Sequence, residues 1–382
     1  MSRINLLNRF WKLSDTDRIL IDSVRRFARG VLPQYLTTGK RSQQPRELYQ
    51  RMGAMGILGA TLPDPYGSGL KYQMYGRLCK ELEYIDSGFR SMYSVQSSLV
   101  MGPIFKYGSP LLRERYLPGL ATGEMVGCFG LTEPDSGSDA SAMQTVAVES
   151  GDHFLLSGNK TWITNAPIAD VMVVWAKLEG TVCGFVVDRR MPGVSTTEIT
   201  DKMSLMNSPT GMIHLDQVPV PKTNQLQVEG MRGPFSCLTD ARLGISIGVM
   251  GAAEACIDTA LEYGANRTLF GTSLAEKQLF QTKLADMTTE YNLGLLAGLT
   301  VATQVDAGGS IPHMISLVKR NNCAKALDIS RSSRDILGGN GISHHFNVFR
   351  HLINLETVST YEGTHDIHGL ILGNYLTGKK AF

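Results

Sequence analysis

The spacing of apolar residues divides the chain into three parts, of which the first is helical in pattern. Between residues 14 and 32, apolar residues recur every three or four positions, namely Ile19, Leu20, Val24, Phe27 and Val31. Ser14 and Asp17 precede this run at the spacing of a capping box, which predicts that a helix begins there. Segments 46–59 and 75–86 continue with helical periodicity.

The middle of the chain, from about residue 126, changes to short apolar runs separated by Gly, Pro, Asn and Asp turns. Four of these runs have the length of strands: HFLLSG (153–158), VMVVWAKL (171–178), GFVVD (184–188) and MIHLDQVPV (212–220). This pattern predicts a compact antiparallel β-domain.

Helical periodicity returns from about residue 233, over 239–267, 274–306, 312–337 and 364–378. Pro312 suits the start of one of these helices. Alternating βαβ units are absent, which argues against a doubly wound nucleotide-binding sheet. The predicted fold class is α+β, mostly α. It comprises an N-terminal helical domain (1–125), a middle antiparallel β-domain (126–230) and a C-terminal helical bundle (231–382).

Composition narrows the class of protein. The 382 residues are 43% hydrophobic and 19% charged with a net charge of +2, which is typical of a globular protein and does not indicate binding to nucleic acid or an anionic membrane. No apolar run reaches the roughly 18 residues that span a bilayer, and we predict that 244–257 is a buried helix. The six cysteines form no CxxC pair, which predicts reduced thiols. We expect a cytoplasmic location, or the mitochondrial matrix if a presequence precedes this sequence.

One carboxylate near the C-terminus stands out. In TYEGTHDIHGLILG (360–373), Glu362 lies between an aromatic residue and a glycine, just ahead of an apolar helical run. It could be a reactive base, a metal ligand with His365 and His368, or the first-turn acid of an ordinary helix, which periodicity alone favours. The zinc-hydrolase pattern H-E-x-x-H is missing and no fourth ligand is evident, so spacing gives little support to a metal site.

Two glycine-rich segments partly match phosphate-binding loops. GNYLTGKK (373–380) has Lys380 where a Ser or Thr should bind magnesium, and no room for a following helix, so we interpret it as a chance match. LGGNG (337–341) follows a helical segment and favours a helix C-cap turn. Its glycines would also allow a flat or phosphorylated ligand to approach the backbone.

Three further segments each have an ordinary and a functional interpretation. CFGLTEPDSGSDAS (128–141) is either a polar loop or a source of N–H and O–H donors for a cofactor. Trp162 in KTWITNA is either a core residue or a wall for an aromatic cofactor. Glu83 and Arg90 would share one face of a continuous helix, either as a solvated ion pair or with Arg90 in a pocket that recognises a substrate carboxylate.

Taken together, these segments resemble the acyl-CoA dehydrogenase family, and most closely its glutaryl-CoA dehydrogenase branch. The resemblance extends over essentially the whole chain. It rests on SGFRSMYSVQSSLV, CFGLTEPDSGSD, KTWITNAPIADV, RTLFGTSLAEKQ, DILGGNGIS and TYEGTHDIHGLILG in the family's order. The resemblance implies an FAD-dependent enzyme, a dimer-of-dimers tetramer and electron-transfer flavoprotein as the electron acceptor.

The resemblance also implies two sets of site residues. The FAD-binding set is Phe129, Leu131, Thr132, Ser138, Trp162, Ile163, Thr164, Thr364 and Phe382, with Arg267, Phe270, Gln278, Asp335, Ile336, Leu337, Gly338 and Gly339 reaching the FAD of a neighbouring subunit. The substrate-binding set is Arg90, Ser91, Ser138, Phe235, Leu238, Arg242 and Gly363.

In the implied mechanism, Glu362 removes the α-proton of the thioester, and the β-hydrogen leaves as hydride to FAD. Glutaconyl-CoA then loses CO2 to give crotonyl-CoA, with Tyr361, Glu83 and Ser91 tuning that step. Arg90 suggests a dicarboxylyl substrate, because a fatty acyl tail would leave a buried guanidinium without a partner. The alternatives are another acyl thioester without decarboxylation, a flavin monooxygenase and a non-enzymatic flavoprotein.

Overall fold

The computed structural model describes residues 4–7, 11–36, 45–309 and 311–381. Phe382, predicted to contact FAD, lies outside the described residues. The predicted fold class is confirmed: helices precede and follow a sheet that forms the middle of the chain. The exact domain boundaries remain a prediction.

Helices make up the N-terminal part. They are α1 (Asp15–Gly30), α2 (Pro45–Ala54), α3 (Tyr72–Glu83), α4 (Ser87–Ser94), α5 (Gly102–Tyr107) and α6 (Pro110–Thr122). A π-helical segment, Val95–Met101, joins α4 to α5. The predicted capping box of α1 is confirmed, since the Asp17 N–H donates to Ser14 Oγ over 3.1 Å and the Ser14 N–H donates to Asp17 Oδ2 over 3.3 Å. Asp86 caps α4 by accepting from the Gly88 N–H, so α3 and α4 are separate helices.

The middle of the chain forms a sheet of eight strands within the described residues. They are β1 (Gly127–Gly130), β2 (Val146–Ser150), β3 (His153–Thr164), β4 (Val171–Leu178), β5 (Thr181–Asp188), β6 (Val194–Glu198), β7 (Thr210–Pro221) and β8 (Gln225–Glu229). Their order is β6-β7-β3-β2-β4-β5-β8, with β1 also on β4. Most pairs are antiparallel as predicted, but β1 and β2 both pair with β4 in parallel. The first six residues of β4 are buried.

Long helices and a short hairpin form the C-terminal part. They are α7 (Arg232–Asn266), strands β9 (Thr268–Leu269) and β10 (Thr272–Ser273), then α8 (Gln278–Asp306), α9 (Pro312–Ile336), α10 (Val348–Thr360) and α11 (His365–Thr377). Among the described helices, α7 alone is long and apolar enough to span a membrane, and 89% of its most apolar window is buried inside the protein. It is therefore a core helix, as predicted for 244–257.

The sequence did not predict α10. Its buried positions include His351 and Asn354 beside Val348, Leu355 and Val358, so polar residues interrupt the apolar stripe that would have indicated a helix.

Glycines on α7 allow α3 to approach it closely. A Cβ at Gly251 would lie 2.0 Å from the Lys80 carbonyl oxygen, and one at Gly248 would lie 2.5 Å from Glu83 Oε2. Both distances are far inside van der Waals contact, so larger residues would push the helices apart. This close packing places Glu83 in the interior, where the candidate site is found.

Candidate active site

The loop between α10 and α11 carries Glu362 in an uncommon backbone conformation. Glu362 has φ 54° and Gly363 has φ 97°, a left-handed pair that is rare for a residue with a side chain. Thr364 is the N-cap of α11, and its hydroxyl accepts from the Ile367 N–H over 3.2 Å. Glu362 therefore lies before the helix, and the first-turn acid of α11 is Asp366. The interpretation of Glu362 as an ordinary first-turn acid is wrong.

The Glu362 carboxylate is shielded from water and lacks a hydrogen-bonding partner on one oxygen. The residue is half-buried, and its Oε2 atom is buried with no partner among the described residues. Desolvation raises the pKa of Glu362 above the usual carboxyl value, although the positive charges of Arg90, Arg242 and Lys319 oppose that rise. A carboxylate with a raised pKa is a stronger proton acceptor, which is the property of a general base.

Two cationic side chains hold the backbone of the loop between α10 and α11 through hydrogen bonds to its carbonyl oxygens. Arg242 of α7 donates from Nε to the Glu362 carbonyl oxygen over 2.7 Å. The Lys319 ammonium of α9 donates to the carbonyl oxygens of Tyr361 (3.0 Å), Gly363 (2.7 Å) and Ser359 (3.3 Å). Sequence reasoning identified Arg242 but missed Lys319, because one lysine within a polar helical segment gives no signal of burial.

Glu83, Arg90 and Tyr361 form a buried polar cluster beside Glu362. Arg90 Nε lies 2.7 Å from Glu83 Oε2, and both side chains are 0% exposed. Arg90 Nη2 donates to the Tyr361 hydroxyl. The interpretation of Glu83 and Arg90 as a solvated pair on one helix face is therefore wrong, because both side chains are buried and lie on separate helices: α3 ends at Glu83, and Asp86 caps the start of α4.

This cluster also corrects the premise that a fatty acyl tail would leave Arg90 without a partner. Glu83 already neutralises the guanidinium. Two atoms of the pair stay without hydrogen bonds, however: Arg90 Nη1 and Glu83 Oε1 are both buried and unpartnered among the described residues. Arg90 Nη1 remains a free donor for a buried acceptor.

Trp162 lies at an irregularity in β3. The pairing of β3 with β7 shifts register between Lys160 and Ile163, and Trp162 has φ 58° and is 60% exposed. The alternative of a buried core tryptophan is therefore wrong. An exposed indole beside the buried Ile163 and the half-buried Thr164 offers a flat surface that fits an aromatic cofactor.

The loop after β1 is fastened to β3. The Thr161 N–H donates to the Thr132 carbonyl oxygen over 2.9 Å, and the buried Lys160 ammonium donates to the Leu131 carbonyl (3.1 Å) and Glu133 (2.7 Å). Burial lowers the pKa of Lys160 to about 8. Of the predicted residues in the loop, Phe129 and Leu131 are buried, Thr132 is half-buried and Ser138 is exposed. Lys160 and Glu133 were not identified from the sequence as residues that hold this loop.

Most of the residues predicted to reach a neighbouring subunit are exposed on this single chain. Phe270, in the β9–β10 hairpin, is 90% exposed with φ 51°. Arg267, Gln278 and Asp335 are also exposed, whereas Leu337 is 1% exposed and belongs to the core. Ile336 is half-buried, and Gly338 and Gly339 are exposed. Their contact with a second subunit remains a prediction.

The predicted substrate residues lie on four elements: Arg90 and Ser91 on α4, Phe235, Leu238 and Arg242 in the first turns of α7, Ser138 in the loop after β1, and Gly363 in the loop after α10. Ser91 is 3% exposed and Leu238 is 8% exposed, while Phe235 is 44% exposed. His368, considered as a metal ligand, is buried, and its Nδ1 lies 3.0 Å from Ser316 Oγ. Across the described ranges, no group of three or more His, Cys, Asp or Glu residues could hold a metal ion.

Comparison with known protein families supports the resemblance to acyl-CoA dehydrogenases over most of the chain. Models of the acyl-CoA dehydrogenase N-terminal, middle and C-terminal domains match residues 14–124, 128–218 and 229–376. The chain belongs to the acyl-CoA dehydrogenase family. The protein is accordingly an oxidoreductase that acts on acyl-CoA, with FAD as its cofactor. The exposed Trp162 and the fastened loop from Phe129 to Thr132 fit the isoalloxazine ring.

Individual relatives show what the chain is similar to. Glutaryl-CoA dehydrogenase of Mycobacterium smegmatis is 43% identical, covering 97% of this chain and 96% of that one with a TM-score of 0.94. A glutaryl-CoA dehydrogenase from Mycobacterium smegmatis in complex with FADH2 is 42% identical, covering 99% of this chain and 98% of that one, with a TM-score of 0.95. The 3-(aryl)acrylate reductase of Clostridium sporogenes is 31% identical over 92% of this chain and 97% of its own length.

Proposed function

We propose that this protein oxidises glutaryl-CoA and decarboxylates the product to crotonyl-CoA and CO2. The observation that carries the proposal is the buried Arg90 Nη1 atom, a cationic donor without a partner beside the base Glu362. A terminal carboxylate of the acyl group would accept from this donor, and a charge-assisted hydrogen bond in a buried site is both strong and selective. The 43% identity to a glutaryl-CoA dehydrogenase supports the same substrate.

The first step is proton removal from the α-carbon by Glu362. Its unpartnered Oε2 atom is available to the substrate, and its raised pKa increases its basicity. The negative charge that develops on the thioester oxygen needs a donor, which the backbone N–H of Glu362 supplies. Among the described residues, no oxygen accepts a hydrogen bond from this N–H.

The second hydrogen leaves the β-carbon with its electron pair. FAD, when bound, supplies the acceptor for these two electrons. The contribution of this chain is to hold the α-carbon at Glu362 and to direct the β-carbon towards the flavin site, because the reaction depends on positioning both carbons at once.

The decarboxylation breaks the bond between the γ-carbon and the terminal carboxylate of the unsaturated thioester. The electron pair of that bond enters a dienolate, CO2 leaves, and the proton held by Glu362 is transferred to the γ-carbon to give the crotonyl thioester. Departure of CO2 removes the negative partner of Arg90 Nη1. Glu83 remains bonded to Arg90 Nε, so the buried guanidinium is never left without a counter-charge.

A second candidate function follows from the same pair. Because Glu83 already neutralises Arg90, an uncharged short acyl tail would also be tolerated, and the enzyme would then desaturate a short-chain thioester without loss of CO2. A mouse short-chain specific acyl-CoA dehydrogenase is 30% identical over 98% of this chain and 93% of its own length.

The products distinguish the two candidates. The holoenzyme is incubated without oxygen with glutaryl-CoA and an artificial electron acceptor, and the thioesters are analysed by mass. Crotonyl-CoA as the main product supports the proposal, glutaconyl-CoA shows dehydrogenation without decarboxylation, and turnover of butyryl-CoA alone supports the second candidate. We further propose electron-transfer flavoprotein as the electron acceptor, a homotetramer as the assembly, and the bacterial cytoplasm or mitochondrial matrix as the location.

A further inference from the structure

The carbonyl groups of the Glu362 loop share an unusual set of partners. Three consecutive carbonyl oxygens, those of Tyr361, Glu362 and Gly363, each accept a hydrogen bond from a cationic side chain, within 2.7–3.0 Å. Arg242 supplies one donor and Lys319 supplies the other two. The loop follows the C-terminus of α10, where unpaired carbonyls and the helix dipole concentrate negative potential, so cations are favoured there.

Lys319 makes more hydrogen bonds to the loop backbone than Arg242 does, because its one ammonium donates to three carbonyl oxygens. Its side chain is 1% exposed, and its Nζ atom lies 2.7–3.3 Å from the carbonyls of Ser359, Tyr361 and Gly363. An ammonium presents three donors from one atom and can therefore be shared by three converging oxygens, whereas the planar fork of an arginine cannot.

The orientation of the carbonyls has a consequence for the opposite side of the loop. With the oxygens of residues 361, 362 and 363 held inward, Glu362 is kept at φ 54° and Gly363 at φ 97°. The Glu362 N–H then has no acceptor among the described residues and is available to a substrate oxygen. The carboxylate that takes the proton and the N–H that stabilises the resulting charge belong to one residue. The hydrogen bonds that hold the loop carbonyls therefore orient both groups.

We propose that Lys319 is a positioning residue for proton abstraction: its ammonium holds the loop carbonyls so that the carboxylate and the N–H of Glu362 both face the thioester. Lys319 acts through the backbone and its own charge, without touching the substrate. The proposal rests on Glu362 as the base and not on glutaryl-CoA as the substrate.

The pKa of Glu362, which a pH profile of proton exchange would report, depends on the charged groups around its carboxylate. The charged groups that face its carboxylate are Arg90 of α4, Arg242 of α7 and Lys319 of α9. Glu83 and the Tyr361 hydroxyl adjoin Arg90, Cys323 adjoins Lys319 and His368 of α11 lies beside Gly363. Of these, only Lys319 both contacts the loop backbone at several points and adds a positive charge that lowers the pKa of Glu362.

The test isolates the proton step. Acyl-CoA analogues with sulfur in place of the β-carbon carry α-hydrogens but cannot be desaturated, so exchange of their α-protons with deuterium in D2O reports the base alone. We use the glutaryl and butyryl forms of this analogue with the FAD-loaded enzyme. In Lys319→Met, exchange should fall by about 10- to 100-fold, the size expected when a catalytic group is misplaced. FAD content and analogue affinity should change by less than about threefold, well below that loss.

The pH dependence separates positioning from general stability. In Lys319→Met the acidic limb of the exchange profile should move up by about one pH unit, since a nearby positive charge has been removed. Lys319→Arg, which keeps the charge but not the three-way contact, should leave the limb in place while still slowing exchange. Lys202→Met is the matched control, because Lys202 also donates to three carbonyls, those of Ser204, Leu205 and Ser208, none of which belongs to the Glu362 loop.

The results that would refute the role of Lys319 differ from those that would refute glutaryl-CoA as the substrate. Wild-type exchange rates in both Lys319 variants, or equal losses in Lys319→Met and Lys202→Met with an unmoved acidic limb, would overturn the proposal. If Lys319→Met does not fold, Lys319→Arg alone decides it, since normal exchange in that variant would contradict the need for converging donors. Exchange of the butyryl analogue but not the glutaryl analogue by the wild type would refute glutaryl specificity and leave the Lys319 test intact.

Discussion

Replacing Arg90 with methionine tests how the acyl tail is recognised. The substitution keeps an unbranched side chain of similar length but removes the guanidinium that pairs with Glu83 and reaches the Tyr361 hydroxyl. It also removes the unpartnered Nη1 donor that we assign to the substrate carboxylate. Two effects follow, one on stability and one on substrate preference, and they can be measured separately.

The effect on stability comes from Glu83. Both members of the pair are 0% exposed and 2.7 Å apart, so Arg90→Met strands a buried carboxylate, at a cost of about 3–5 kcal/mol. A chain of this length has an unfolding entropy of about 0.8 kcal/mol/K, and the thermal midpoint should fall by about 4–6 °C. The double variant Glu83→Gln with Arg90→Met has no stranded charge and should regain more than half of that loss.

The effect on preference is read from kcat/KM for glutaryl-CoA and butyryl-CoA in the wild type, the single variant and the double variant. Loss of a buried charge pair with the substrate is worth at least about 2 kcal/mol, so the glutaryl-to-butyryl ratio should fall by about 30-fold or more in both variants. A double variant that is stable and keeps the wild-type ratio would refute the role of Arg90 in reading the carboxylate.

Three further predictions concern the base and the cofactor. Because burial raises the pKa of Glu362 and a base must be ionised, kcat/KM should decline on acidification at a pH above the ordinary carboxyl value; a decline only near pH 4 would contradict this. Gly363→Ala should lower kcat by about 100-fold or more, since φ is 97° and the new Cβ would lie 2.8 Å from His368 Nε2; a normal kcat would contradict the close contact. Trp162→Ala should lower the ratio of flavin to protein absorbance, and an unchanged ratio would remove the ring-stacking role.

Local sequence signals predicted much of the fold. The capping box at Ser14 predicted the start of α1, short apolar runs between turn residues predicted β3, β4, β5 and β7, and Pro312 begins α9. These features depend on residues close together in the chain. Helix α10 was missed because the buried faces of His351 and Asn354 are polar, and the parallel pairs of β4 were missed because periodicity does not report which strands are neighbours.

The site was predictable only in part for the same reason. Glu362 and Arg90 emerged from motifs, but the pairing of Arg90 with Glu83 inside the protein depends on the break between α3 and α4 at Asp86. Lys319 is 43 positions before Glu362 in the sequence, and its burial results from the packing of α9 under the loop. A buried lysine and a solvated one have the same sequence pattern, so only the structure distinguishes them.

Reduction of bound FAD by substrate in the Glu362→Gln variant tests directly whether Glu362 is the base that removes the α-proton. Glutamine keeps the size of the side chain and the loop backbone but cannot accept the α-proton. Wild type and variant, each purified with FAD, are mixed with glutaryl-CoA or butyryl-CoA without oxygen, and the yellow absorbance of the flavin is followed. We predict rapid bleaching in the wild type with at least one of the two thioesters and none in Glu362→Gln. Bleaching of the variant at the wild-type rate would show that another group removes the proton.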